Sequence, residues 1–294
     1  MRQVKQFYRH IFLLILTFLL LPGTLWAGSY EKGLLWSVKK AGQANSFVFG
    51  TMHSDHPTVT NLPSPVKRAF NLADSFTAEM DMDMGAMLQS QMKMMLPANQ
   101  SLQNLVGQRN YKNSTRLMSA YGMPEVIVDR MKPWAIAVTL QIPKPNGGLA
   151  LDLMLYQQAK QKGLKLYGLE TMDEQIGLFD NLPTKQQVTM LEQSIKDHPS
   201  MPAKIDTMRR LYLNRDIGGL MRFGQKEMQR AAPEMAEHMN KKMLVERNYR
   251  MVERMQPQLS AGNAFIAVGA LHLPGREGIL QLLENQGYSL VAMY

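Results

Sequence analysis

The sequence predicts an α/β protein with a mixed, largely parallel central sheet, built from two similar βαβ units that flank a large helical portion. Three observations support this prediction. Near each end of the chain, a strand-like run is followed by a helical segment and a second strand-like run. Because a strand, a helix and a strand in succession give parallel strands, each end predicts a βαβ unit. Between them, residues 84–255 are mainly helical in pattern.

The amino-terminal segment has the pattern of a signal peptide. A basic start, MRQVKQFYRH, precedes the apolar run IFLLILTFLLL, which is shorter than the about 20 apolar residues of a membrane-spanning helix. We expect cleavage after Ala27 and an exported protein, periplasmic or secreted, that contacts a membrane only through this segment if it stays uncleaved. Residues 1–27 would then be the signal peptide, and residues 28–294 a single α/β domain with a helical portion at about 84–255.

The composition limits the functional classes. The chain of 294 residues contains no cysteine, so it has neither a lipid-attachment cysteine nor a disulfide. Its formal net charge is +9, but basic and acidic residues are interleaved in segments such as NKKMLVERNYRMVERM. This pattern is typical of a solvated helix surface, and no basic run with interleaved aromatic residues indicates nucleic-acid binding. We expect a peptide or small molecule as the partner, and the sequence leaves the oligomeric state open.

The amino-terminal βαβ unit begins with a predicted hairpin. GLLWSVKK and SFVFGT are rich in β-branched and aromatic residues and are separated by the loop AGQAN. The next segment, LPSPVKRAFNLA, has apolar residues at helical spacing, with Ser64 as the predicted N-cap and Pro65 at the first helical position. SFTAEM then returns to a strand-like composition and carries Glu79 near its end.

The carboxy-terminal unit repeats this plan. AFIAVGALHL is the predicted strand, PGREGILQLLENQG the helix with its glycine stop, and YSLVAMY the closing strand. Within the helical portion, the amphipathic helix LALDLMLYQQAKQKG leads into one further predicted strand, LKLYGLE, which ends at Glu170. The helical segment TMDEQIGLFDN follows it.

Both βαβ units carry the motif G-x-x-H at the end of their first strand. Gly50 precedes His53, and Gly269 precedes His272. A glycine there permits a sharp turn or a close backbone approach, and ligands of open α/β sheets bind outside the carboxyl ends of the strands. A single copy would equally suit a capped or core histidine. The repetition in matched contexts favours a cleft in which both imidazoles act as metal ligands or proton acceptors.

Carboxylates and an arginine complete the candidate set. Glu79 and Glu170 belong to the same predicted edge, and Glu79 could be a metal ligand, a general base for water or an orienting group. Arg247, in the helical segment ERNYRM, could clamp a substrate carboxylate or stabilise an oxyanion, and the alternative is a surface ion pair. His56 lies in a proline-containing loop and is a weaker candidate. The other histidines are peripheral by position: His10, His198 and His238.

Methionine is unusually abundant, with 25 residues in the chain. Thioether sulfur is a soft ligand that suits Cu(I), so the segment EMDMDMGAMLQSQMKMML could bind copper in an exported protein. Flexible methionine side chains also fill irregular cores or line promiscuous grooves. The segment is therefore kept apart from the catalytic candidates. Its methionines are Met80, Met82, Met84, Met87, Met92, Met94 and Met95.

These motifs together resemble the TraB/GumN family, which is related to the Tiki metalloproteases and more distantly to erythromycin esterase-like and ChaN-like proteins. The matching pieces are FGTMH, LPSPVKRAFNLADSFTAEMD, LDLMLYQQAKQKGLKLYGLETMDEQ, ERN and FIAVGALHLPGREGILQLLENQGYSL, in family order from about Gly33 to the carboxyl terminus. The resemblance implies an α/β fold with a helical portion and a cleft. The cleft residues it implies are His53, Glu79, Arg247 and His272, with Gly50 and Gly269 shaping the turns, Asn248 beside the arginine, and Glu170 and Gln175 as cleft or structural positions.

We therefore predict an exported hydrolase-like protein, a metal-assisted peptidase or amidase. In this interpretation His53 and His272 hold a divalent ion (Mn, Co or Zn) or the attacking water. Glu79 is a third metal ligand or the base, and Arg247 stabilises developing negative charge. The Tiki relatives imply metal-dependent peptidase activity, whereas the esterase-like relatives imply histidine-assisted hydrolysis without an obligatory metal. Two other functions remain open: a non-catalytic protein that binds or senses a peptide or small ligand, and a Met-rich copper-binding exported protein.

Overall fold

The computed structural model describes residues 30–81, 85, 91–144, 147–231 and 236–294. The predicted signal peptide and three methionines of the Met-rich segment, Met82, Met84 and Met87, lie outside these ranges. Within the ranges, none of the helices combines the length and the apolar character that a membrane span requires.

A six-stranded sheet forms the centre of the described chain and confirms the predicted mixed, largely parallel α/β class. Its order is β4-β3-β5-β2-β1-β6. The neighbours from β4 to β2 are parallel, whereas β1 is antiparallel to both β2 and β6, so the predicted hairpin is also confirmed. The strands are β1 Leu35–Lys39, β2 Ser46–Thr51, β3 Ser75–Met80, β4 Lys165–Glu170, β5 Ala264–Gly269 and β6 Ser289–Ala292.

Helices surround the sheet and make up most of the chain between β3 and β5, as predicted. The α-helices of the described residues are α1 Pro57–Thr60, α2 Ser64–Asn71, α3 Leu102–Ser119, α4 Glu125–Val128, α5 Pro133–Thr139, α6 Leu151–Gln161, α7 Met172–Asp180, α8 Thr184–Asp197, α9 Met201–Leu213, α10 Ile217–Ala231, α11 Ala236–Asn240, α12 Glu246–Arg254, α13 Gln256–Ala261 and α14 Ile279–Asn285. Shorter segments are the 3₁₀ turns His198–Ser200 and Ala270–His272 and the π-helical turn Lys241–Val245.

The strands of each predicted βαβ unit run parallel, but they are not direct neighbours. β5 lies between β2 and β3 and pairs with both, and β2 and β1 separate it from β6. The sequence AFIAVG suits an interior place in the sheet, because a wholly apolar strand is stable where both faces are buried. A smaller difference concerns α2, which has Pro63 rather than Ser64 at its N-cap. Pro65 tolerates the shift, because N–H groups in a first helical turn have no intrahelical partner.

The described residues form two apolar cores. The first packs on the sheet, where the ring of Phe265 contacts the rings of Phe49, Phe70 and Phe76. The second lies among the helices around the buried Trp134. Helix α7, which directly follows β4, contributes its apolar face to the second core. The carboxyl end of β4 therefore lies where the two cores meet.

Candidate functional site

The carboxyl ends of four neighbouring parallel strands bring the predicted side chains to one edge of the sheet. β4 ends at Glu170, and β3 carries Glu79 one residue before its end. β5 leads into a 3₁₀ turn that contains His272, and β2 ends two residues before His53. β2 and β5 pair directly with each other up to their last residues. Both histidines therefore start from the same edge, as the duplicated motif predicts.

The glycines of the two G-x-x-H motifs permit close approach at this edge. A Cβ atom on Gly50 would lie 2.7 Å from Cδ1 of Leu273 and 3.1 Å from Cα of Ala270. A Cβ atom on Gly269 would lie 3.1 Å from Oε2 of Glu79. Neither glycine has a positive φ. Of the two uses that the sequence allowed, a sharp turn or a close approach, the structure therefore favours the close approach.

His272 is buried, and Asn248 fixes its ring. Nδ1 of His272 lies 2.6 Å from Oδ1 of Asn248, while Nδ2 of Asn248 donates to the carbonyl oxygen of Glu277 at 2.7 Å. Because the amide oxygen can only accept, Nδ1 of His272 carries the proton and Nε2 is bare. Nε2 lies 3.8 Å from Oε1 of Glu79. Burial lowers the pKa of His272, and the charge of Arg247 adds to this against the opposing charge of Glu79, so the ring is neutral near neutral pH.

Glu79 is held by three N–H donors. Its Oε1 accepts hydrogen bonds from Nη2 of Arg247 at 2.6 Å and Nε2 of Gln175 at 3.3 Å. Its Oε2 accepts a hydrogen bond from the backbone N–H of Gly269 at 2.7 Å. Burial alone would raise the pKa of Glu79, but the electrostatic influence of His272 and Arg247 and the backbone N–H hold it below its usual range. Glu79 is therefore an ionised carboxylate with a fixed orientation.

Arg247 joins Glu79 to a second, fully buried carboxylate. Its Nε donates to both carboxylate oxygens of Glu170, at 3.2 and 2.9 Å, and its Nη2 donates to Oε2 at 2.6 Å. Arg250 adds a contact of 2.5 Å to Oε1 of Glu170. Burial alone would raise the pKa of Glu170, but these guanidinium donors and Gln175 hold it below its usual range. Glu170 is thus saturated by donors and acts as a structural anchor for Arg247.

This network corrects two sequence-based interpretations. The surface ion pair offered as the alternative for Arg247 is wrong, because its ion pairs are buried and only 8% of the residue is exposed. The interpretation of NKKMLVERNYRMVERM as solvated surface is wrong for one face of α12. Arg247 and Asn248 are buried together with Met251 and Val252, since residues four positions apart lie on the same side of a helix.

His53 is more exposed and contacts a residue that the sequence analysis missed. Its Nδ1 lies 3.4 Å from Oδ2 of Asp152, and 69% of its side chain is accessible. The close contact with the carboxylate of Asp152 raises the pKa of His53, and the charge of Glu79 adds to this against an opposing effect of partial desolvation. Asp152 lies in the first turn of α6. An acid there is expected in any helix because of the dipole, so the sequence carried no distinguishing signal.

The described part of the chain contains no group of three or more His, Asp or Glu side chains arranged to hold a metal ion. It contains two pairs instead, His272 with Glu79 and His53 with Asp152. The chemistry of the first pair fits a divalent metal, because a bare imidazole nitrogen faces an ionised carboxylate and neighbouring groups fix both. The assignment of His53 as a further metal ligand stays a prediction.

The remaining candidates have other contacts. His56 is the N-cap residue of α1, and its ring nitrogen accepts a hydrogen bond from a backbone N–H of that helix. His198 lies in a 3₁₀ turn and His238 in α11. Met94 and Met95 pack against the second core, which is the filling role expected of flexible methionines. Three of the other methionines proposed for copper, Met82, Met84 and Met87, lie outside the described residues, so the copper hypothesis stays a prediction.

Comparison with known proteins gives a family match over most of the chain. The sequence model of the TraB/PrgY/gumN family matches residues 34–292. Metalloprotease TIKI2 of Danio rerio is 23% identical over 87% of this chain and 60% of its own length. The uncharacterized protein YbaP of Escherichia coli (strain K12) is 22% identical over 89% of this chain and 97% of its own length. The chain thus spans about 60% of the metalloprotease TIKI2 relative. No solved structure matches the chain.

Proposed function

Because this chain belongs to the TraB/PrgY/gumN family and is distantly related to the Tiki metalloproteases, we propose that it is an exported, metal-assisted hydrolase of the peptidase or amidase type. One observation carries the proposal. The bare Nε2 of the buried His272 lies 3.8 Å from the ionised carboxylate of Glu79, at the sheet edge where ligands of α/β proteins bind. A neutral imidazole and a carboxylate, both held by neighbours, are two of the ligand types that catalytic divalent sites use.

In the proposed site His272, Glu79 and His53 would hold the metal ion. When bound, such an ion polarises a carbonyl group and lowers the pKa of a water molecule. Asn248 keeps Nδ1 of His272 protonated, so that Nε2 stays available. Arg247 helps to keep Glu79 ionised and fixes the position of its Oε1. Arg247 thus acts through Glu79, because its N–H groups are already engaged with carboxylates and a backbone carbonyl.

The substrate class and the location belong to the same proposal. Three of the relatives are named as metalloproteases, which supports a peptide or another amide as substrate. The basic and apolar pattern of residues 1–27 supports export to the periplasm or the exterior. The absence of a basic run with interleaved aromatic residues in the sequence argues against nucleic acid as the partner.

A non-catalytic protein that binds or senses a peptide is the second candidate. One observation favours it: Arg247 is engaged with Glu79 and Glu170, and therefore is not free to stabilise an oxyanion in the way that the sequence analysis predicts. Such a protein would keep the cleft and the metal ligands but would release its ligand unchanged. Turnover therefore separates the two candidates.

The test combines metal analysis of the purified full chain with cleavage of a peptide library. The His272→Ala variant is compared with His238→Ala, which removes an exposed histidine of α11. We expect a bound divalent metal and chelator-sensitive cleavage in the wild type and the His238 variant, and neither in the His272 variant. Metal without cleavage would favour the binding protein. Cleavage that is unaffected by a chelator would contradict the metal-assisted mechanism.

A further inference from the structure

The two G-x-x-H histidines have the same kind of neighbour at the same ring atom. Nδ1 of His272 lies 2.6 Å from an oxygen of Asn248, which belongs to α12. Nδ1 of His53 lies 3.4 Å from an oxygen of Asp152, which belongs to α6. The two helices are far apart in the chain, yet each presents a side-chain oxygen to Nδ1 rather than to Nε2. This repetition is not explained by the G-x-x-H motif itself.

Asp152 is oriented by a second contact. Its Oδ1 accepts a hydrogen bond from Oγ1 of Thr51, the last residue of β2, which is itself buried. This contact directs Oδ2 toward His53. Oδ2 is inaccessible to solvent and has no hydrogen-bond partner of ordinary geometry among the described residues. A buried carboxylate oxygen without a donor is costly, so a small rotation of the exposed His53 ring that shortens the 3.4 Å contact would be favourable.

We propose that Asp152 is the positioning residue of His53: it accepts the Nδ1–H of the ring and so presents the bare Nε2 to the cleft, as Asn248 does for His272. Only the consequence for metal binding rests on the proposed function: both histidines would then offer Nε2 to one divalent ion. Removal of an oxygen that orients a metal-binding histidine typically weakens metal binding 10- to 100-fold, so about this loss is expected without Asp152.

The alternative is a purely structural role, in which Asp152 only stabilises α6. An acid in the first turn interacts favourably with the helix dipole, and its bond to Thr51 attaches α6 to β2. Asp173 provides a matched control, because it occupies the first turn of α7 and is 63% exposed beside Lys93. A purely structural role predicts that variants of the two acids differ in stability alone.

The experiment measures the tautomer of the neutral His53 ring, at a pH above its raised pKa, by long-range ¹H–¹⁵N correlation in the metal-free, ¹⁵N-labelled full chain. The His53 signal is assigned by its loss in His53→Gln. We expect the proton on Nδ1 in the wild type and in Asp173→Asn. We expect it on Nε2 in Asp152→Asn, because the new amide would donate to Nδ1 while its oxygen keeps the bond from Thr51.

Titration with Zn²⁺, Mn²⁺ and Co²⁺ alone gives a second readout, with a Kd about 10- to 100-fold higher in Asp152→Asn and unchanged in Asp173→Asn. If Asp152→Asn does not fold, Thr51→Val removes the orienting hydroxyl and tests the same tautomer. The proposal would be overturned if the proton were on Nε2 of His53 in the wild type. It would also be overturned if Asp152→Asn left the tautomer unchanged, as Asp173→Asn is expected to do. The tautomer is measured without metal, so it tests Asp152 even if the chain neither binds metal nor cleaves peptides.

Discussion

Oδ1 of Asn248 lies 2.6 Å from Nδ1 of His272, and both side chains are buried. The amide group of Asn248 is itself fixed by its bond to the carbonyl oxygen of Glu277. The orientation and the tautomer of His272 are therefore determined by a residue of α12 before any ligand arrives. This relationship connects the stability of the protein to the chemistry of the site.

The substitution Asn248→Ala tests this connection. It leaves Nδ1 of His272 and the carbonyl oxygen of Glu277 without partners, so we expect a loss of about 1–3 kcal/mol in the free energy of unfolding. Metal affinity should fall about 10- to 100-fold, because the ring is no longer held in one tautomer. Urea denaturation and metal titration measure the two effects. Asn214→Ala, at the exposed end of α9, is the control. Unchanged stability in the Asn248 variant would show that the bond is absent in solution.

Removal of Glu170 should destabilise the protein far more than removal of an exposed acid. Glu170→Ala leaves the guanidinium groups of Arg247 and Arg250 without their shared carboxylate in a buried site. Breaking a buried ion pair from one side costs about 3–5 kcal/mol. Glu253→Ala, on the exposed face of α12, should stay within about 0.5 kcal/mol of the wild type. Chemical denaturation compares them, and equal stabilities would refute a structural role for Glu170.

Gly50→Ala tests the close approach between the two G-x-x-H turns. The new methyl group would lie 2.7 Å from Cδ1 of Leu273 and 3.1 Å from Cα of Ala270, so the leucine side chain and the backbone of the second turn must shift. We expect a loss of about 1–3 kcal/mol from this overpacking, with weaker metal binding. Gly224→Ala, in the middle of α10, is the matched control, because the nearest atom outside this helix, Cδ2 of Leu271, would lie 4.0 Å from the new Cβ. Alanine should stabilise that helix by about 0.5–1 kcal/mol. A Gly50 variant as stable as the wild type would contradict the packing of the turns.

The ion pair between Glu174 and Arg254 should make stability depend on pH in the acid range. The hydrogen bonds from Arg254 lower the pKa of Glu174 from 4.5 to about 2, against a smaller effect of burial. A lowered pKa means that this stabilisation is complete above pH 4.5 and is lost as the pH falls toward 2. Glu174→Gln should therefore cost about 1 kcal/mol at pH 7, since the pair is partly exposed.

Glutamine at position 174 can keep the capping contact with Thr171, so the variant removes the charge and not the helix cap. Thermal unfolding of the variant and the wild type at several pH values measures the difference, which should shrink toward zero near pH 2. Glu237→Gln, an exposed acid of α11, should show no such trend. A difference that stays constant with pH would mean that the charge of Glu174 does not contribute.

The elements of the fold could be predicted because apolar runs, glycine stops and helical spacing are local properties of the sequence. The lateral order of the strands could not, since nothing in AFIAVG states that β5 inserts between β2 and β3. The edge that carries the site was predictable from two motifs at strand ends. The burial of Arg247 was not, because its helix is rich in charge and its ion-pair partners lie on strands β3 and β4, far away in the sequence. Asp152 was missed for a related reason: it is far from His53 in the sequence, and only the folded chain brings the two residues into contact.

The central place of β5 also determines when the site can exist. β5 lies between β2 and β3 and pairs with both. The edge of β2 and the edge of β3 that face β5 therefore have no partner strand until residues 264–269 have been synthesised. Contacts between such distant segments make folding slow, because a long loop must close before they form. The nascent chain therefore carries His53 and Glu79 without His272 and without an ordered cleft. A chain with the proposed activity would thus be inert during translation, and it would become active only after the last part of the sheet had assembled.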